Sequence, residues 1–101
     1  MKINGKDIHF EYTIGAFCDY SDYCAQNTEV SLARASMYKA LYMNRAYAEM
    51  HEGADTVTIE EIMRLPMDDY PVMLAEVKAA EDAGKKQTVE TVEKKQEESK
   101  K

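Results

Sequence analysis

Glycine is scarce in this chain, and its four residues are scattered at 5, 15, 53 and 84. That excludes a glycine-rich phosphate loop. Histidine is scarcer: His9 and His51 are alone, and neither has a Cys or His partner at zinc-ligand spacing. The two cysteines, Cys18 and Cys24, stand six residues apart in a helical pattern. At ~1.5 Å of rise per residue their α-carbons lie about 9 Å apart, beyond the roughly 7 Å a disulfide spans. They read as two reduced, partly buried thiols. Long apolar runs are missing. The longest uncharged run, Tyr12 to Cys18, is seven residues, against the ~20 that cross a bilayer. Asn4, Gly5, Lys6 and Asp7 interrupt the place where a secretory leader needs an apolar core. Reduced thiols without a leader fit the cytoplasm.

Positive charge is also scarce over most of the chain. Residues 1–84 hold 7 Lys/Arg against 15 Asp/Glu, a net of −8. An acidic body repels phosphate backbones, so no nucleic-acid partner is expected. Catalytic pairings are absent as well. Glu60/Glu61 and Asp68/Asp69 fall in first turns of helices, where the helix dipole favours acids, and Asp19/Asp22 lie on a helix exterior. No serine or cysteine has a local base. No enzyme activity, cofactor or metal is expected.

The features present divide at Gly84. All seven Met, all seven Tyr, both Phe, both Cys and both His precede it. Residues 85–101, KKQTVETVEKKQEESKK, carry 6 Lys against 4 Glu and only Val89 and Val92 as aliphatics. Such a segment buries too little apolar surface to offset its ordering entropy. The expectation is a folded domain over 1–84 and a charged disordered tail over 85–101. A body of that size buries roughly 60–65% of its unfolded surface and folds alone.

The fold class expected is α+β, mostly α, with an N-terminal β-hairpin on a small bundle of about four helices. Asn4–Gly5 predicts a hairpin turn, since both central positions need positive φ. The arm after it alternates, Ile8, Phe10 and Tyr12 against Asp7, His9 and Glu11. Thr13 caps a first helix to about Ala25, with Ile14, Phe17, Ser21 and Cys24 as its inner stripe. Ser31 caps a second helix to about Met50. That helix is apolar on nearly every side, with Leu32, Ala35, Ala40, Met43, Ala46 and Met50 on one flank and Met37, Leu41 and Ala48 on the other, which marks a central spine. A loop with Gly53 follows. Thr58–Ile59–Glu60–Glu61 is a capping box opening a short helix that ends at Leu65–Pro66. Asp68 caps a last helix, with Pro71 in its first turn and Gly84 as its stop.

Two patterns point to binding. Arg34, Tyr38, Leu41 and Arg45 share one stripe of the second helix, and Arg and Tyr are enriched in interface hot spots. On that reading Arg34→Ala plus Arg45→Ala leaves folding intact and abolishes partner binding. The alternative is that the arginines pair with surplus carboxylates beside a core stripe. Met37, Met43, Met50, Met63, Met67 and Met73 suggest an adaptable groove or, alternatively, core filling.

The chain resembles the tail assembly chaperones of long-tailed bacteriophages and prophages of Gram-positive hosts. The resemblance rests on Phe10-x-Tyr12-x-Ile14–Gly15–Ala16 after the hairpin, Val30–Ser31–Leu32–Ala33–Arg34 opening the long helix, Met43–Asn44–Arg45–Ala46–Tyr47 near its end, and Thr58-x-Glu60–Glu61–Ile62–Met63-x-Leu65–Pro66. It spans residues 1–84. The resemblance implies a small helical protein of the host cytoplasm that binds the tape measure protein, keeps it soluble and helps recruit tail tube subunits. It implies absence from the finished virion. Many phages with such proteins make a second, longer product by frameshifting near the end of the gene. Gly84–Lys85–Lys86 is codable as a slippery G/A run, and the sequence leaves open whether a longer product exists here. The competing class is another prophage accessory protein, a head–tail component or a small regulator. A helix-turn-helix regulator is disfavoured, since the last helix sets Asp68, Asp69, Glu76, Glu81 and Asp82 against Lys78 alone. The sequence leaves oligomeric state open.

Overall fold

The structure, a computed structural model, describes the backbone of residues 1–99 and the side chains of residues 1–85. It is α+β and mostly helical, a two-stranded hairpin at the N-terminus followed by four helices. The strands are β1 (Lys2–Ile3) and β2 (Lys6–Asp7). They pair antiparallel, with Lys2 opposite Asp7 and Ile3 opposite Lys6. Asn4 and Gly5 take the expected positive φ, 52° and 75°. Ile8 still exchanges backbone hydrogen bonds with Met1, at 2.8 and 2.9 Å; beyond it the arm leaves the ladder, yet its alternation persists. Ile8 is buried, Phe10 and Tyr12 pack on the core, and Asp7 and His9 face solvent.

The helices are α1 (Ile14–Gln26), α2 (Leu32–Met50), α3 (Ile59–Met63) and α4 (Tyr70–Ser99). Thr13 and Ser31 cap α1 and α2, each hydroxyl accepting the amide three residues on. Helix α2 packs against α1, α3 and α4, so it is the spine the sequence predicts. Its Ala35, Ala40, Leu41, Met43 and Ala46 are buried with Ile3, Ile8, Val57, Ile62, Met73 and Val77. Leu32 and Met50, on the same flank as Ala35, Ala40, Met43 and Ala46, are exposed at the two ends of the helix. The methionines divide: Met43 and Met73 fill the core and Met37 packs against it, while Met50, Met63 and Met67 face solvent.

One polar side chain sits in this core. Asn44 is 0% exposed. Its Nδ2 donates to the His9 carbonyl at 3.0 Å and to the Asp55 carbonyl at 3.5 Å, and its Oδ1 accepts the Val57 amide at 2.9 Å. Three segments remote in sequence, the arm, the spine and the loop before α3, thus meet at one amide. The Glu11 amide adds a bond to the Met43 carbonyl at 3.0 Å.

The capping box of α3 forms as expected. Thr58 Oγ1 accepts the Glu61 amide, and the Glu61 carboxylate accepts the Thr58 amide at 3.0 Å. The same carboxylate also accepts Lys6 Nζ at 2.7 Å and Asn4 Nδ2 at 2.9 Å. The hairpin is thereby tied to α3. Lys6 first, then Asn4 and the Thr58 amide, hold the Glu61 carboxyl down from 4.5 to about 2 against the small opposing effect of burial. A folded-state pKa below the unfolded one gives stability that is full above the unfolded value and lost as pH falls through the folded one. Glu61 therefore stabilises the fold at neutral pH, and its contribution declines between pH 4.5 and about 2. In urea unfolding at stepped pH, Glu61→Gln is expected to be less stable than the parent at pH 7. The gap should close across that window; a gap independent of pH contradicts the assignment.

Two termini differ from expectation. Asp68 does not cap α4. A 3-10 turn, Met67–Asp69, follows Pro66 and runs directly into α4, with the Asp69 amide bonded to the Pro66 carbonyl. Gly84 does not end α4 either, which continues to Ser99. A Cβ at Gly84 would lie 3.0 Å from both Cβ and the carbonyl oxygen of Tyr12. The glycine is there for close approach of α4 to the arm, a role distinct from helix termination. The expected disordered tail falls, beyond Lys85, outside the residues whose side chains are described.

Candidate interaction surface

The phase of α1 decides what this protein shows to solvent. With Thr13 as cap, α1 turns Ala16, at 3% exposure, into the core. Tyr20 and Tyr23, four and seven residues on, share that side and are half-buried. The stripe expected inside is therefore displaced. Ile14 is 83% exposed and Phe17 52% exposed, and Ser21 is exposed too. Of the stripe expected inside, Ile14, Phe17, Ser21 and Cys24, only Cys24 is partly buried. The small Ala16 wins because α1 packs closely on α2, and the tyrosines fill the rest of the seam.

Ile14 and Phe17 border a notch. Tyr12 meets Phe17 edge to face, ring centroids 6.4 Å apart. Tyr12, Thr13, Ile14, Phe17 and Gly84 enclose about 140 Å³ of open space. Pockets for metabolites run to roughly 300–1,000 Å³, so this notch suits a single apolar side chain.

The seam between α1 and α2 is an aromatic ladder. Tyr23 stacks on Tyr38 at 4.0 Å, and Tyr42 lies 6.2 Å from Tyr38 and 6.4 Å from Tyr23. The Arg45 guanidinium lies over the Tyr42 ring at 5.9 Å. Burial and then Tyr38 push the Tyr23 phenol up while Arg34 pulls it down. Burial raises the Tyr42 phenol, opposed by Arg45. The two arginines thus flank the ladder.

Of the predicted stripe, the structure keeps Arg34, Tyr38 and Arg45 along this seam. Leu41 is 3% exposed and belongs to the core, so it is not a surface contact. The residue that joins the arginines at the surface is Tyr42, one position on. Among the described residues neither arginine makes an ion pair with a carboxylate, so the pairing alternative does not describe them.

Other clusters hold the fold together. Lys39 of α2 meets Glu81 of α4 at 2.6 Å, Lys85 joins Glu81 at 2.9 Å, and the Lys39 ammonium lies 5.3 Å from the Tyr20 ring centre. Burial pushes the Glu81 carboxyl up, but bonds from Lys39 and Lys85 outweigh it and hold it below its ordinary value. Tyr47 stacks on His51 at 4.1 Å and meets His9 at a tilt at 4.9 Å, with Glu11 3.8 Å from His51. Both cysteines are free; Cys18 is exposed, where partial burial was expected, and Cys24 is partly buried.

Among the described residues no three of His, Cys, Asp or Glu gather as a metal site, and no helix is long and apolar enough to cross a membrane. No family model matches the chain, and neither curated proteins nor solved structures provide a match.

Proposed function

We propose that this chain is a tail assembly chaperone of a long-tailed phage or prophage. It binds the tape measure protein in the host cytoplasm, keeps it soluble and helps recruit tail tube subunits during tail morphogenesis. It acts by binding, without catalysis, and is not retained in the finished virion.

The observation that carries this reading is the set of large apolar side chains left exposed on a small acidic helical body. Ile14, Phe17 and Leu32 face solvent, as do Met50, Met63 and Met67. The core does not need them. Exposed apolar surface is what a holdase offers an aggregation-prone chain, and methionine adapts its shape to varied apolar partners. A net charge of −6 keeps the protein and its complexes soluble. The order of segments that resembles the phage chaperones supports the same reading.

The test is co-purification from phage-producing cells. The tape measure protein is expected to come down with this chain from lysate, and this chain is expected to be missing from purified particles. Stoichiometric recovery in particles would instead make it a structural head–tail component and end the chaperone reading.

A further inference from the structure

We propose that the outward face of α1 is a docking surface for an amphipathic helix whose apolar stripe is flanked by lysine or arginine. The proposal rests on the chaperone reading and names the surface and the kind of segment that surface holds.

Ile14, Phe17, Cys18, Ser21 and Ala25 are all exposed. Their spacings of three, one, three and four place them on one stripe of α1. The opposite side of the helix, Ala16, Tyr20 and Tyr23, already makes its contacts with the rest of the fold. Among the described residues the outward stripe is thus a second apolar face that, apart from the Tyr12–Phe17 ring contact, packs on nothing else. Its large residues lie at the N-terminal end and its small ones follow, so a helix laid along it approaches closely over Ser21 and Ala25. From Ile14 to Ala25 the stripe is about 16 Å long, roughly three helical turns.

The notch at its N-terminal end supplies an anchor point. Its 140 Å³, between Tyr12, Ile14, Phe17 and Gly84, takes one bulky apolar side chain from the incoming helix. Buried anchors of that kind dominate interface energies.

Charge selects the occupant. Helix α1 carries Asp19 and Asp22 and no Lys or Arg, and Glu29 follows in the next turn. Asp22 borders the stripe. Lys85, the cation beside the notch-lining Gly84, is engaged by Glu81 at 2.9 Å. Arg34 and Arg45 flank the tyrosine seam on the α2 side of α1. A second copy of this chain would bring the same acids against these acids, and like charges across an interface are disfavoured. A helix with basic flanks gains where the second copy loses.

The experiment uses the whole chain and its own Cys18. The probes are synthetic helical peptides of about five turns: one with a leucine stripe and lysine flanks, one with the same stripe and glutamate flanks, and a scrambled form of the first. The reading is the rate of maleimide modification at Cys18, on the stripe, with and without peptide, in a Cys24→Ser background. The lysine-flanked peptide is expected to slow Cys18 at least about tenfold relative to the peptide-free protein, the other two to leave it unchanged. Ile14→Glu with Phe17→Glu should weaken that peptide's binding by about tenfold or more, with the fold kept and the thermal melt lowered only by the loss of the Tyr12–Phe17 ring contact. Equal protection by the glutamate-flanked or scrambled peptide would overturn the proposal. So would protection of Cys18 by raising the protein concentration alone, which would make a second copy the occupant. Loss of binding on Arg34→Ala with Arg45→Ala, while the α1 variant binds normally, would also overturn it and place the partner on the tyrosine seam.

The two readings fail separately. If the α1 variant still solubilises the tape measure protein as the parent does, the surface is wrong and the function stands. If the peptide result holds but the tape measure protein neither binds nor needs this chain, the function is wrong and the surface stands.

Discussion

Replacing Asn44 by alanine is expected to cost about 2–4 kcal/mol of folding stability. Asn44 is fully buried and its amide serves three backbone groups. Truncation leaves the Val57 amide without its acceptor inside the core and the His9 carbonyl without its donor. Each abandoned buried group costs roughly 1–3 kcal/mol, whereas the bond itself is worth about 1. A small cavity adds to the loss. Asn44→Asp tests the geometry separately. A carboxylate still accepts from Val57 but donates to neither the His9 nor the Asp55 carbonyl, and it places an unpaired charge in the core. It is expected to be at least as damaging as alanine at pH 7. In a domain of this size about 1 kcal/mol moves the melting temperature by roughly 4–8 °C, so the effect is large in a thermal melt. A loss below about 0.5 kcal/mol for Asn44→Ala would mean that the three segments do not depend on this amide.

Gly84→Val is expected to destabilise by about 1–3 kcal/mol, the usual cost of overpacking a tight contact. The added atoms would meet Tyr12 at its Cβ and its carbonyl oxygen, both 3.0 Å from the new Cβ. A backbone oxygen cannot swing aside as a side-chain tip does, so the arm or the helix must shift. The sign makes the test sharp. Glycine is a poor helix former, about 1 kcal/mol below alanine in a helix interior. If the approach to Tyr12 were immaterial, Gly84→Ala would stabilise the protein by about that amount. The packing expects no gain from alanine and a clear loss from valine in urea unfolding. A stabilised Gly84→Ala would return Gly84 to being an incidental helix residue.

The same two residues show where the sequence is legible and where it is not. Local signals read correctly. Asn4–Gly5 announces its turn because few dipeptides accept two positive φ values. Thr58 and Glu61 announce their box because both partners lie within one turn. The spine is legible because an all-round apolar helix has few other places to go. Readings that depend on a partner segment fail. The phase of α1 follows from how closely it meets α2, which favours Ala16 over the larger Ile14 and Phe17. Gly84 reads as a helix stop until Tyr12 is seen against it. Leu41 reads as part of a surface stripe but is buried in the core, and Tyr42 takes its place beside Arg45. Asn44 carries no sequence signal, since a lone asparagine in a helix is ordinarily exposed. The candidate site inherits these limits. The arginines are legible because their spacing sets them on one helix stripe with Tyr38. The α1 face is not, because its apolar residues read as core.

In the proposed function this chain keeps a tape measure protein soluble through exposed apolar surface. The most direct measurement is the soluble fraction of the tape measure protein expressed alone, with this chain, and with its Ile14→Glu, Phe17→Glu variant. The account predicts an aggregated protein alone, a soluble complex with the parent chain, and aggregation again with the variant. A tape measure protein equally soluble in the absence of this chain, with no complex formed, would contradict the claim.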